Sequence, residues 1–421
     1  VISPPLTFEK LGLDSRLVAE IHRMGMKKPY PPQKEALPHV MAGKNIVLAV
    51  PTASGKSLVA YTAVVEKVLQ GQKALYIVPL RALAQEKFEE LSDFGRSLGF
   101  KVALAMGDYE DSGGKLRSYD VIVATSEKAD SLLRQKASWL DSIGVLVADE
   151  VHLIHDSDRG PTLEVTLAKF RSVNPSSQIV CLSATIANAH EIAEWLGGVC
   201  VTSEWRPVDL RHAVVVGDTV YYKDGSMKKL RSGSISAVVS DVVNENGQAL
   251  VFVNTRKSSE ALAERLSREV SRHLDSASRD ELHQMGKGML SDEYTELDEK
   301  LSRCVVNGVA FHNAGLRGSS RRTIEKAFKS GLIKCIVATP TLAAGVNLPA
   351  RRVVVRDIYR FDSNYGYKPL PVMEVHQMFG RAGRPQFDPF GEAFLMGKSM
   401  ENADELFSLY VDSPPESISS K

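Results

Sequence analysis

Short runs of apolar, β-branched residues recur along most of this chain, separated by longer amphipathic stretches. In the first half the runs are "NIVLAV" (45–50), "KALYIVP" (73–79), "KVALAMG" (101–107), "DVIVAT" (120–125), "VLVADE" (145–150) and "QIVCLSAT" (178–185). Most are apolar almost throughout, as strands covered on both faces must be. Helical patterns such as "SLVAYTAVVEKVLQ" and "RALAQEKFEELSDFGRSL" lie between several of them. Strand-helix alternation predicts an α/β fold with doubly wound, mostly parallel sheets and helices on both faces.

The rhythm breaks around "SEWRPVDLRHAVVVGDTVYYKDGSMKKLRSGS", which is polar and rich in Gly and Ser. It restarts with "ALVFVN" (249–254), "GVAFHNAG" (308–315), "KCIVATP" (334–340), "RRVVVRD" (351–357) and "GEAFLMG" (391–397). A chain of 421 residues is too long for one hydrophobic core. Two tandem domains are therefore expected, 1–203 and 204–405, joined near 203–213. The turn-rich ending "SPPESISSK" reads as the start of a truncated C-terminal region over 406–421.

Charge narrows the choice of partners. Lys and Arg number 52 against 51 acidic residues, a net charge of +1, so any basic groove for a polyanion has to be local. The four cysteines, Cys181, Cys200, Cys304 and Cys335, form no CxxC pair and read as small buried hydrophobes in a reducing compartment. No apolar run approaches membrane-spanning length, and the start shows no signal layout. The expectation is a soluble, intracellular, monomeric protein with no membrane partner.

"VPTASGKS" (50–57) follows an apolar strand and opens a helical pattern. That is the setting in which backbone N–H groups at a helix start bind phosphate. In such a loop Lys56 adds a point charge and the Ser57 hydroxyl reaches Mg²⁺, while Ala53, Ser54 and Gly55 stay small around the phosphates. Pro51, with Thr52 after it, can shape the turn with its preset φ where Val50 replaces the usual first glycine. Ordinary strand-to-helix turns can share these features, so the loop needs a partner.

"VLVADEVH" supplies one, since its strand ends in Asp149 and Glu150, and ligands bind at the carboxyl ends of strands in such sheets. One carboxylate can hold Mg²⁺ and the next can polarise water toward a γ-phosphate. Asp149, Glu150, His152, His155 and Asp156 also cluster as metal ligands might, but without HExxH or thiolates. "GRSLG" (95–99) matches GxSxG but lies in a helix tail, not at a strand-to-helix elbow.

"DEVH" followed by "SAT" (183–185) makes the chain resemble superfamily-2 helicases, within them the Ski2-like branch and in particular its archaeal DNA-repair helicases. The likeness runs in order across nearly the whole sequence through "PPQKEAL", "VPLRALAQEK", "ATSEKADSLLR", "RGPTLE", "VFVNTRKSSE", "FHNAGL", "ATPTLAAGVNLPARRVVVRD" and "QMFGRAGRP". The resemblance implies two RecA-like domains, ATP and Mg²⁺ as cofactors, and Gln33 on the adenine. It places Gly345 and Asn347 on the nucleotide side and makes Gln377 a water-positioning residue. His152, Ser183 and Thr185 become coupling residues. Nucleic-acid contacts fall to Arg81, Thr125, Ser126, Arg159, Thr255, Arg256, Thr339 and Thr341, all suited to sequence-blind backbone contact. Arg381 and Arg384 stand three apart, on one face if the segment is helical. As arginine fingers they contribute on the order of 10³–10⁵ in rate.

"RDIYRFDSNYGYKPLP" (356–371) carries turn chemistry for a hairpin and the aromatics Tyr359, Phe361, Tyr365 and Tyr367. In the resembling helicases a hairpin at this place separates strands, which makes Phe361 and Tyr365 stacking candidates. "KDGSMKKLRSGS" reads as a mobile loop, and "SASRDELHQMGKGMLSDEYTELDEKLSR" as a solvated helical excursion.

The function expected is an ATP-driven 3′–5′ translocase on single-stranded DNA and on forked or tailed duplex, in repair or fork processing. An RNA-directed relative acting in RNA turnover and an ATP-gated clamp without motor activity remain as alternatives. The family's winged-helix and helical-bundle domains are not read here. These residues are therefore expected to bind ATP and nucleic acid but unwind poorly alone.

Overall fold

The computed structural model describes residues 7–107, 114–290, 294–340, 342, 345–362, 366–385 and 387–420. It divides into two compact units, one of residues 1–207 with 415–421, the other of residues 208–414.

The first unit is built on seven strands: β1 (Ile46–Ala49), β2 (Lys73–Val78), β3 (Val102–Ala105), β4 (Val121–Thr125), β5 (Ile143–Ala148), β6 (Gln178–Ser183) and β7 (Val199–Thr202). They lie in the order β3-β4-β2-β5-β6-β1-β7, and every pairing is parallel. β1, β4, β5 and β6 are buried at every position, because helices cover both faces and leave no polar side. With all strands parallel, the segments following β1, β2, β4, β5 and β6 emerge along one edge. That edge gathers the sequence motifs.

The second unit holds β8 (Asp209–Val216), β9 (Thr219–Tyr222), β10 (Met227–Lys229), β11 (Ala249–Phe252), β12 (Val309–His312), β13 (Cys335–Ala338), β14 (Arg352–Val355), β15 (Tyr359–Asp362), β16 (Gly366–Pro369) and β17 (Phe390–Met396). Its main sheet runs β10-β9-β8-β17-β14-β11-β13-β12. The six strands from β8 to β12 in that order are parallel, and β8-β9-β10 form an antiparallel meander. β15 and β16 stand apart as a two-stranded hairpin.

Two sequence readings are corrected here. "KDGSMKKLRSGS" is not a loop throughout: it supplies β10, and Lys228 pairs with Asp241 at 2.7 Å and Glu245 at 3.0 Å. The charged stretch after residue 275 forms the helices Ser276–Met289 and Glu296–Val305, and neither is a solvated excursion. Leu282, Met289, Leu301 and Cys304 are buried in the second core, since apolar side chains recur on one face despite the many charges.

A buried ionic cluster knits the β14–β17 pairing. Arg352 is fully buried and pairs with Glu392 at 2.7 Å and Asp241 at 2.9 Å, while its Nη1 donates to the Val238 carbonyl. Residues beyond 414 return to the first unit. There Glu416 O accepts from Ala187 N, and Asn188 exchanges two hydrogen bonds with Ile418.

Candidate nucleotide and nucleic-acid sites

The loop after β1 turns sharply because two of its residues are left-handed. Ala53 has φ 67° and Gly55 φ 82°. A non-glycine residue there costs energy and marks a functional hypothesis. Left-handed residues alternating with right-handed ones turn successive backbone amides into an anion-binding concavity. Gly55 also has no room for a side chain, since a Cβ would lie 2.4 Å from Gln33 Nε2. The helix Lys56–Leu69 begins directly after it, and its first N–H groups have no intrahelical acceptor. Val50 N donates to Ser183 O at 3.3 Å and the Ser54 hydroxyl to Pro51 O at 2.6 Å, which fixes both shoulders of the loop.

Gln33 is 1% exposed. Its Oε1 accepts from Tyr30 N at 2.8 Å and its Nε2 donates to Gly55 O at 3.0 Å. In this structure the Gln33 amide braces the phosphate loop. The Tyr30 ring lies 4.8 Å from that of Trp205, an aromatic neighbour that no motif announced.

Lys56 Nζ lies 3.4 Å from Glu150 Oε2, so the loop lysine meets the carboxylate after β5. Glu150 is itself left-handed (φ 53°), and its N–H donates to Asp149 Oδ1 at 2.9 Å. Tyr76 on β2 donates its hydroxyl to Asp149 Oδ2 at 2.9 Å. Burial, and next the Glu150 charge, hold the Asp149 carboxyl above the usual range, while Lys87 and Lys56 pull the other way. Burial would push Lys87 down, but Glu90, foremost among its charged neighbours, lifts it well above the usual lysine range. Its ammonium also reaches Ser57 Oγ at 3.4 Å. Tyr76 and Lys87 escaped sequence reasoning because they enter from the middle of a strand and of a helix, and although Lys87 closes the "VPLRALAQEK" stretch, no role attaches to it there.

His152 is buried, which lowers its pKa to about 4. Its Nδ1 accepts from Ala184 N at 3.2 Å, so that nitrogen carries no proton. The 3.4 Å approach of the same atom to Glu150 is therefore a contact with a neutral ring. This bond ties the segment after β5 to Ser183-Ala184-Thr185. The Ser183 hydroxyl is buried with no hydrogen-bond partner among the described residues, as is that of Ser126.

Two carboxylates and a hydroxyl make an all-oxygen donor set, as Mg²⁺ requires. Asp149 and Ser57 would hold the ion, and the desolvated carboxylate pair would gain from a cation. Among the described residues no group of three or more His, Cys, Asp or Glu is placed to hold a metal.

The other sequence candidates differ in exposure and local role. Arg81, Arg159, Thr255 and Arg256 are exposed at helix starts. Thr125 and Thr255 are N-caps, accepting from Lys128 N and Ser258 N. Thr255 also donates its hydroxyl to Ser258 at 2.8 Å, whereas Thr339 is buried at the end of β13. Thr341 and Tyr365 lie outside the described residues.

The arginine segment is not helical. The helix Val372–Phe379, which carries Gln377, ends before it. Ala382 then bridges Ala350, and Gly383 takes φ 91°. A turn, not helical spacing, places the two arginines. Arg381 Nη1 donates to Asn347 Oδ1 at 3.3 Å, which brings two predicted residues together with Gly345 nearby in sequence. Arg384 forks onto Asp388, with Nη2 to Oδ1 at 2.7 Å and Nε to Oδ2 at 2.8 Å.

The hairpin pairs Phe361 with Tyr367, their rings 5.5 Å apart and edge to face. Phe361 is 65% and Tyr367 77% exposed.

Comparison with known proteins shows the family of the chain. Residues 30–192 match a DEAD/DEAH box helicase model and residues 281–386 a helicase conserved C-terminal domain. Three similar proteins, each called ATP-dependent DNA helicase Hel308, come from Methanocella arvoryzae, Pyrococcus horikoshii and Pyrobaculum calidifontis. They are 48% identical over 404 residues, 43% over 415 and 44% over 420, covering 94%, 98% and 98% of this chain. The matches cover 55%, 56% and 58% of those relatives, so the chain spans little more than half their length.

Proposed function

We propose that this chain, which belongs to the Hel308-type superfamily-2 helicases and carries their motor core, hydrolyses ATP to move along single-stranded DNA and separate strands. The observation carrying the reading is the meeting of Lys56 and Glu150 at 3.4 Å beside a doubly left-handed phosphate loop. Lys56 binds the phosphates. Glu150, freed from Lys56 by the nucleotide, holds the attacking water, and Gln377 helps position it. Bound Mg²⁺ supplies charge neutralisation on the phosphate oxygens. Arg381 and Arg384 stabilise charge on the transferred phosphoryl group. Arg384 has first to leave Asp388, so its release is a candidate gate on hydrolysis.

His152 links Glu150 to the Ser183–Thr185 segment and conveys the nucleotide state to residues that touch the strand. Movement is proposed to run 3′ to 5′, on tailed or forked DNA, in repair or replication-fork processing, by a monomer. The test compares ATPase stimulation by single-stranded DNA and by RNA. Stimulation by DNA above RNA supports the reading, a preference for RNA moves the chain to RNA turnover, and no response to either points to a clamp.

A further inference from the structure

Asp149 is held by the strand beside its own. It directly follows β5, whose Ala148 stands opposite Ile77 of β2, and its N–H donates to the Ile77 carbonyl at 2.9 Å. The residue before Ile77 is Tyr76. Its hydroxyl donates to Asp149 Oδ2 at 2.9 Å, while the Glu150 N–H donates to Oδ1 at 2.9 Å. An ionised carboxylate has about four acceptor sites, shared between its two oxygens. One site on each oxygen is therefore filled from within the protein, and the others are left for a cation.

The two donors differ in kind. A backbone N–H comes with almost any residue at 150, whereas the hydroxyl is particular to Tyr76. Central strands of a parallel sheet are as a rule aliphatic, and β2 is buried from Ala74 to Val78. A fully buried hydroxyl there needs a partner, and that partner is Asp149. Packing fixes the ring as well. It lies 6.1 Å from that of Tyr61 on the helix Lys56–Leu69, and Tyr61 is tied through its own hydroxyl to Glu90.

Charge separates Tyr76 from the lysines nearby. Lys56 and Lys87 act on the carboxylate through their charge, but an ammonium there opposes the approach of a dication. Lys87 is also committed to Glu90 at 3.1 Å and Glu86 at 3.4 Å. A phenol is neutral at ordinary pH, so it can orient the carboxylate and leave its charge for a metal.

We propose that Tyr76 is a positioning residue for Mg²⁺, its hydroxyl holding the Asp149 carboxylate in the one orientation in which that group is presented to the ion. The inference rests on the proposed ATP hydrolysis and adds to it a residue that acts through Asp149. Outer partners of metal ligands are worth about 10- to 100-fold in metal affinity.

The test is Tyr76→Phe in the full chain, which keeps the ring and removes the donor. Binding of a fluorescent ADP is measured in EDTA and then along a Mg²⁺ titration. In EDTA the variant should bind ADP as the native chain does. The Mg²⁺ concentration giving half of the metal-dependent gain in affinity should rise about 10- to 100-fold. Mn²⁺, followed by the loss of its free EPR signal in the presence of ADP, should weaken to the same extent. On top of Asp149→Asn, Tyr76→Phe should weaken Mn²⁺ no further, because the two residues act as one unit. A folded Tyr76→Phe with the native metal requirement overturns the role, as does a further loss in the Asp149→Asn background. If Tyr76→Phe does not fold, a fluorotyrosine placed at 76 reports by fluorine NMR. Its resonance should shift when Mg²⁺ joins bound ADP, and an unmoved resonance overturns the role. If the native chain binds Mg²⁺ with ADP and hydrolyses ATP while the variant matches it, the role of Tyr76 alone fails. If the native chain binds no nucleotide, the proposed function fails with it.

Discussion

The phosphate-loop region of the first unit and the hairpin of the second are built on opposite principles. Around Asp149 almost every polar atom is engaged. Tyr76, Glu150, Lys56 and Lys87 surround one buried carboxylate, and Gln33 bolts the loop from below. At the hairpin, large rings face solvent and the ion pair sits on the far side. Charges that must act on a γ-phosphate need preorganisation, because reorganising them during reaction would raise the barrier. The strand-separating role proposed for the hairpin needs grip without fixed partners, which exposed aromatic faces can supply.

If that contrast holds, the largest effect belongs to the phosphate loop. Lys56→Ala should lower the rate of ATP hydrolysis by about 10²–10³-fold, the scale for losing one preorganised electrostatic group. DNA affinity measured without nucleotide should stay unchanged, and retained turnover would move the site elsewhere. Next comes the hairpin: Phe361→Ala should slow strand separation about tenfold through lost stacking, with DNA-stimulated ATPase nearly intact. Equal loss of both activities would dissolve the division of labour. A smaller change is expected at the coupling bond. His152→Ala removes one buried hydrogen bond worth about 1 kcal/mol, so DNA stimulation of the ATPase should fall about fivefold while the basal rate holds.

The smallest effect concerns stability. Asp149 has a raised folded-state pKa, so folding favours its protonated form. That contribution is present at low pH and is lost as pH rises through the raised pKa. Above that raised pKa, the ionised group is a burden. Asp149→Asn should therefore unfold at a higher temperature than the native chain at pH 8, and the gain should shrink as pH falls. Hydrolysis should be lost in the same variant. His152 gives the opposite sign, since its pKa is lowered to about 4. Its share of stability is present above the unfolded value near 6.5 and disappears as pH falls toward about 4.

Much of the site was legible because its chemistry is local. Gly55, Lys56 and Ser57 are contiguous, Asp149 and Glu150 are contiguous, and both groups follow apolar strands that a parallel sheet aligns on one edge. The strands β1, β4, β5 and β6 stood out because burial on both faces leaves them apolar but for strand-end residues such as Thr125, Gln178 and Ser183. β8 to β10 did not, since an antiparallel edge meander exposes one side and interrupts the apolar run with Lys, Asp and Gly. The arginine pair shows the same limit: three-residue spacing pointed to a helix, but the Ala382–Ala350 bridge and a left-handed Gly383 make a turn.

The amino-acid order thus determined the α/β class and the succession of strands and helices in two compact units, and it singled out the residues proposed to handle phosphate, because each depends on neighbours in the chain. Tertiary structure alone decided that Tyr76 and Lys87 converge on Asp149 and Ser57, that Gln33 braces Gly55, and that Arg384 rests on Asp388. It also brought three hairpin rings and Lys398 to the lining of one cleft. These contacts join residues distant in sequence or placed by turns, and side-chain geometry across folded strands obeys no spacing that a linear pattern can carry.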